Sequence, residues 1–228
     1  MNALSSKSSL KDYQHFIDEV YGPSNHRHFT PMDMLANIER FAMRSLKGIR
    51  KHDDEKTKIN VLITLGWFLS LMSLYDIAIE NVLWRRFPYR CSYCGTCPCS
   101  CKEKRVQKRK ILRASNARRP KTLVGFQQMF GAIYPASKRT LEHAGIHFAE
   151  EIGELSEAVL RFRYGHTEND FGVIELEAAD IFSCSMGICN SLGIDLGAEL
   201  ARSFAHGCHV CRKIPCQCEY STVMNFKS

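Results

Sequence analysis

Two kinds of residue in this chain stand at spacings that could do chemistry. The first is a carboxylate series: Glu150, Glu151 and Glu154 form E-E-x-x-E, and Glu177 and Asp180 form E-x-x-D. The second is a pair of cysteine clusters, CSYCGTCPCSC from Cys91 and CHVCRKIPCQC from Cys208. Residues three or four apart share a helix face, so each acidic motif presents its carboxylates as a group. If the two helices pack side by side the groups converge, and converging buried carboxylates repel unless a cation holds them. Hard oxygen ligands of this kind suit Mg²⁺ or Mn²⁺.

The cysteine clusters obey one rule, C-x2-C-x4-C-x-C. Cys91, Cys94, Cys99 and Cys101 have Pro98 before the third cysteine; Cys208, Cys211, Cys216 and Cys218 have Pro215 at the same place. Four thiolates in two close pairs suit tetrahedral Zn²⁺ in a closed structural site. Iron–sulfur clusters also take four thiolates, but the compact spacing favours a small zinc knuckle. His209 is an alternative ligand in the second cluster, and Cys97 is left over in the first.

The elements that position these residues repeat as well. At an offset of 113, Leu10, Tyr13, Gln14 and Tyr21 match Leu123, Phe126, Gln127 and Tyr134; at 114, Ile38, Leu46 and His52 match Ile152, Leu160 and His166. At 117, Ile77, Leu83 and Phe87 match Ile194, Leu200 and Phe204, and the cysteines follow in register. The pattern predicts an internal duplication: residues 1–101, a connector at 102–121, and residues 122–228. Apolar positions Ile146, Ala149, Ile152, Leu155, Val159 and Phe162 recur at the helical period. A second long helix is expected over 171–192, then a shorter one to about His206. Sustained alternation and hairpin signals are missing. The expected fold is all-α, a helical bundle per repeat with a metal knot closing each end.

Composition narrows the class. The chain has 228 residues, 45% hydrophobic, enough for a core without bulk disorder. Of the net +7, residues 102–121 alone carry +9, so the remainder is −2. Such a connector could touch nucleic acid or another anionic partner, but aromatics do not interleave with its charges, so nucleic acid is not favoured. The first residues, MNALSSKSSLKDYQHF, show no secretory signal, which predicts a cytoplasmic location and reduced thiols available to metal. The apolar run Ile59–Tyr75 is shorter than a spanning helix wants and is interrupted by Asn60, Thr64, Ser70 and Ser73, so a buried core helix is expected and no membrane partner. Cys184 and Cys189 read as core thiols, and Ser24–His28 as a surface loop.

HFAEEIGELSEAVLRF followed by ELEAADIFSCSMGICNSLGIDL resembles the MazG-like superfamily of all-α nucleoside triphosphate pyrophosphohydrolases. The likeness covers roughly residues 123–206 and leaves out the cysteine clusters and connector. It implies hydrolysis of a (d)NTP to the monophosphate and pyrophosphate. Carried over by motif position, Glu151, Glu154, Glu177 and Asp180 would bind Mg²⁺ (or Mn²⁺), and Glu150 would assist by orienting water. Lys138, Arg139, Arg161, Arg163 and Arg202 are the candidates for a triphosphate clamp. The first repeat has lost the acid set: Ala36, Asn37 and Arg40 stand for Glu150, Glu151 and Glu154, and Asn60 and Ile63 for Glu177 and Asp180. The likeness further implies a covalent pseudo-dimer with one catalytic and one degenerate half, compatible with further homo-oligomerisation. Trp67 or Arg40 is expected to complete the catalytic pocket. The alternative reading is a non-catalytic, zinc-containing nucleic-acid- or nucleotide-binding protein. Base and sugar preference and physiological role are not written in the residues.

Overall fold

A computed structural model describes residues 4–104, 106 and 108–228, apart from the side chain of Lys104. Arg105 and Gln107 of the connector lie outside the described residues. The described chain is helical, with no strand among the described residues. The first half runs α1 (Leu10–His28), α2 (Pro31–Arg50), α3 (Asp54–Leu74) and α4 (Ile79–Arg86), then the first cysteine cluster and a single turn, α5 (Cys101–Lys104). A 3-10 turn at Asn116–Arg118 interrupts the connector. The second half runs α6 (Leu123–Ile133), α7 (Leu141–Gly165), α8 (Glu168–Ser191) and α9 (Leu196–Ser203), then the second cluster and α10 (Tyr220–Asn225).

Each long helix starts where a small polar residue can cap it. Ser9 and Thr30 form reciprocal capping boxes with Asp12 and Asp33, Pro31 pre-sets the first turn of α2, and Thr140 and Thr167 accept from the N–H groups of His143 and Asp170. The stops repeat between halves. His52 and His166 take left-handed φ of 54° and 52° after α2 and α7, and Asp76 and Gly193 take 54° and 65° after α3 and α8. Only the last of these four positions holds glycine, although every L-residue is strained at such an angle.

Helices α2 and α3 pack against each other, as do α7 and α8, and the two pairs meet through α2 on α7 and α3 on α8. The core includes Phe68, Phe148 and Phe182, each almost wholly buried. Helix α3 is apolar on all sides and is the one described helix long and apolar enough to cross a membrane. Most of it is buried inside the fold, as the interrupted run predicted. Two local expectations fail. Ile146, placed on the apolar stripe of its helix, is 56% exposed, and Leu176, in the apolar stretch around the second acidic motif, is 43% exposed. Ser24–His28 is the last turn of α1 rather than a loop, with Ser24 and Asn25 buried.

The polar contacts that fix the shorter elements occur in pairs. Gln14 donates to the Ile77 carbonyl (2.8 Å) and accepts from the Ile79 N–H (3.2 Å). Gln127 donates to the Ile194 carbonyl (2.6 Å) and accepts from the Leu196 N–H (2.9 Å). Each glutamine thus anchors the start of the short helix of its own half. The cysteine clusters instead cross over: Cys99 N–H donates to the Ile133 carbonyl at the end of α6, and Cys216 N–H donates to the Val20 carbonyl of α1, both at 2.7 Å. Each cluster clasps the first helix of the other half.

Candidate functional site

All eleven cysteines are free thiols. Cys91, Cys94, Cys99 and Cys101 come together, as do Cys208, Cys211, Cys216 and Cys218. Sulfur–sulfur distances are 3.5, 3.5 and 3.9 Å in the first cluster and 3.4, 3.8 and 4.0 Å in the second. Four thiolates about 2.3 Å from a tetrahedral zinc lie about 3.8 Å apart, whereas disulfide sulfurs lie about 2.05 Å apart. The clusters therefore fit a four-coordinate metal. Backbone donors already face the sulfurs at matched places: Ser100 N–H to Cys94 Sγ (3.3 Å) and Gln217 N–H to Cys211 Sγ (3.4 Å). Burial pushes the Cys94 thiol up, but hydrogen bonds from Thr96 and Ser100 outweigh it and lower its pKa to about 5. His209 is not in the second cluster; its Nδ1 pairs with the Tyr21 hydroxyl at 2.8 Å. Cys97 stands exposed outside the first cluster.

The packing of α7 on α8 brings Glu151, Glu177 and Asp180 together, with one oxygen from each within 4.8 Å of the others. Asp180 is 6% exposed. Glu151 Oε2 and Glu177 Oε2 are buried and have no hydrogen-bond partner. Burial, reinforced by Asp180 and Glu154, pushes the Glu151 carboxyl up to about 8; burial and Asp180 push Glu177 up to about 7. Both shifts are those of carboxyls withdrawn from water beside like charge, with Arg109 opposing them only in part. Glu154 lies against Glu177 but on the exposed side of α7. Glu150 faces solvent and pairs with His147 at 3.0 Å.

Asp180 has partners that no local reading could supply. Helix α4 of the first half crosses α8, and Arg86, buried at its end, meets both oxygens of Asp180, with Nε to Oδ1 at 2.8 Å. Arg109 of the connector reaches the same Oδ2 while its Nε donates to the Tyr93 hydroxyl at 2.9 Å. Burial raises the Asp180 carboxyl and Arg109 opposes it. An arginine 9% exposed in ENVLWRRF is a signal of a buried partner, but only once its burial is known.

A cavity of about 500 Å³ opens beside these acids, between α7, α8 and the first cysteine cluster. Glu151 and Asp180 line it, and Lys102, Lys138, Arg139, His143 and His147 bring positive or protonatable groups to the same space. Of the expected clamp residues, Lys138 and Arg139 therefore face the cavity. Arg161 and Arg163 are exposed on the far part of α7, and Arg202 pairs with Glu199. Trp67 and Arg40, expected to complete this cavity, line a different groove beside the second cysteine cluster, because each half's cluster crosses to the other half. Cys184 and Cys189 are buried thiols raised by desolvation, as core cysteines should be. No known family model, characterised protein or solved structure matches the chain.

Proposed function

We propose that the chain is a Mg²⁺-dependent nucleotide pyrophosphohydrolase that cleaves a (d)NTP or related nucleotide to the monophosphate and pyrophosphate. One observation carries the reading: two buried, unpartnered carboxylate oxygens, Glu151 Oε2 and Glu177 Oε2, beside Asp180 at the wall of a cavity that also presents Lys138 and Arg139. Orphaned buried oxygens with raised pKa values are what a divalent cation would satisfy. Glu151 and Glu177 would hold it, with Glu154 and Asp180 at the margin and Glu150 outside. When bound, such an ion neutralises the triphosphate and lowers the pKa of a bound water. Lys138 and Arg139 would bind phosphate oxygens as charged hydrogen-bond donors. Arg86 keeps the Asp180 carboxylate in one orientation, a positioning role. Zinc at both cysteine clusters would be structural.

The same proposal treats the halves as tandem copies forming a pseudo-dimer, the first half degenerate in its acids. Matched glutamine anchors, matched left-handed stops and the reciprocal crossing of the clusters support it.

A second reading has its own observation. Asp180 is already neutralised by Arg86 and Arg109, as in an ion-pair core that binds without turnover. Incubating the purified protein with each NTP and dNTP plus Mg²⁺ and measuring pyrophosphate separates the two. The first reading expects product, lost about a hundredfold or more in Glu151→Gln and Asp180→Asn and retained in Asn37→Ala at the matched position. No product from any nucleotide, with the acid variants behaving like the parent, leaves only the second reading.

A further inference from the structure

Away from the acid cavity, a pocket of about 120 Å³ lies between the end of α4 and the connector. Its walls include three guanidinium-bearing residues, Arg90, Arg113 and Arg118, with Ser115 and Trp84. We propose that this pocket binds a phosphate group.

The first support is charge. Neighbouring acids are already committed: Glu175 pairs with Arg85 at 2.7 Å, and Glu80 pairs with Arg119 at 3.0 Å. Among the described residues no carboxylate lies within ion-pair distance of Arg90, Arg113 or Arg118. Three like charges around one small space repel each other unless an anion joins them. Guanidinium forks match phosphate oxygens two at a time.

The second support is independent of charge. Trp84 is 3% exposed, and its indole N–H is buried without a hydrogen-bond partner. An indole only donates, so the missing partner is an acceptor, and a buried orphan donor costs about 1–3 kcal/mol until one arrives. Trp84 is a wall of the pocket, so an anion seated there brings an acceptor to that side chain, whereas a cation or an apolar group does not.

The site is also built. Tyr89, at φ 55°, turns the chain between α4 and the first cysteine cluster and so sets Arg90 at the rim. Its ring lies edge-on to Trp84, with centroids 6.3 Å apart, and the Arg118 guanidinium sits over the same ring at 5.1 Å. Ser115 starts the 3-10 turn without spending its hydroxyl on a cap. Sites that enclose a whole small molecule occupy roughly 300–1,000 Å³. This pocket is smaller, so it encloses the phosphate alone and leaves any attached nucleoside outside.

Titration of the full chain with inorganic phosphate and, separately, with adenosine monophosphate tests the assignment, followed by Trp84 fluorescence in a Trp67→Phe background and by calorimetry. Saturable binding of phosphate is expected, with a change in Trp84 emission. Equal affinity for the two probes identifies free phosphate as sufficient; tighter binding of the nucleotide identifies a phosphate carried on a larger molecule. Both outcomes support the site. In Arg113→Ala/Arg118→Ala, whose substituted side chains are exposed and whose melting temperature should not move, affinity should fall about tenfold or more. Trp84→Phe, which keeps the ring and removes the donor, should weaken binding about fivefold. The titrations are made in a Lys138→Ala/Arg139→Ala background, which removes the phosphate-binding groups of the acid cavity, and the saturable binding should persist there. In that background the proposal is overturned by an absence of saturable binding or by binding that survives the further change Arg113→Ala/Arg118→Ala. None of these outcomes depends on whether the acid cavity hydrolyses nucleotides.

Discussion

The two grooves beside the two cysteine clusters differ in almost everything except their place in the fold. In the acid groove, Glu151 and Asp180, with Glu177 clustered beside them, meet a cavity of about 500 Å³. In the other groove, the matched positions hold Asn37, Asn60 and Ile63, and the remaining cavity is about 60 Å³. Asn37 and Asn60 turn their amides to carbonyls of their own helices, Asp33 at 2.9 Å and Lys56 at 2.7 Å. The segment after the second cluster then fills the groove. Arg40 donates to the carbonyls of Met224 (2.8 Å) and Val223 (3.2 Å), Ser228 donates to Asn60 (2.6 Å), and Phe226 lies against Phe41. The segment after the first cluster behaves differently, sending Arg109 to Asp180 and leaving the space open. Neutral amides satisfy their donors locally, and even with Asn37 Oδ1 unpaired they carry no charge to repel one another, which allows a groove to close. Clustered carboxylates do carry it, and they keep a groove that needs positive charge.

The largest expected effect tests the equivalence of the two cysteine clusters. Structural zinc contributes on the order of 10 kcal/mol to folding. Metal analysis should find two zinc per chain, and Cys94→Ser and Cys211→Ser should each lose one and unfold far below the parent temperature. Because each cluster clasps the other half, hydrogen exchange should rise in α6 for the first variant and in α1 for the second. Exchange rising only in the variant's own half would break the reciprocal clasp.

Next comes the arginine in each groove. Arg86→Ala leaves Asp180 buried without its main partner and should cost about 3–5 kcal/mol by denaturant unfolding. Arg40→Ala removes bonds to half-exposed carbonyls and should cost about 1 kcal/mol. Similar values for the two would show that Arg86 carries no buried charge. Ending the chain at Cys218 removes the filling segment and should cost about 1–2 kcal/mol by lost apolar contact. Pyrophosphate release should be unchanged in that shortened chain, since the segment touches only the acid-poor groove.

The smallest effect is a pH dependence. The raised pKa values of Glu151 and Glu177 mean that the folded protein keeps protons the unfolded chain releases between the ordinary carboxylate range and about pH 8. Stability must therefore fall as pH rises through that window. In zinc-loaded protein without Mg²⁺ the melting temperature should drop between pH 5 and pH 8, and by less in Glu151→Gln. Added Mg²⁺ should stabilise the parent more at pH 8 than at pH 5, since it competes with the protons. A Mg²⁺ shift of the same size at both pH values, or one retained in Glu151→Gln, would place the ion elsewhere.

What the residues determined alone was local. Four cysteines within eleven residues must meet, whatever the rest of the chain does, and E-x-x-E or E-x-x-D on one helix must share a face. The all-helical fold and both four-thiol clusters were legible for that reason, as was the burial of α3. Tertiary structure decided which acids are orphaned and which are paired. Glu154 shares its motif with Glu151 yet stays exposed, touching Glu177 from the solvent side and standing outside the three-carboxylate cluster. Arg86 and Arg109 reach Asp180 across 94 and 71 residues of chain, so no spacing rule could foresee them. The same holds for Trp67 and Arg40: a half-to-half crossing sends them to the filled groove instead of the open one. Spacing along the chain sets which side chains leave a helix together, whereas the packing of one half on the other sets what they meet.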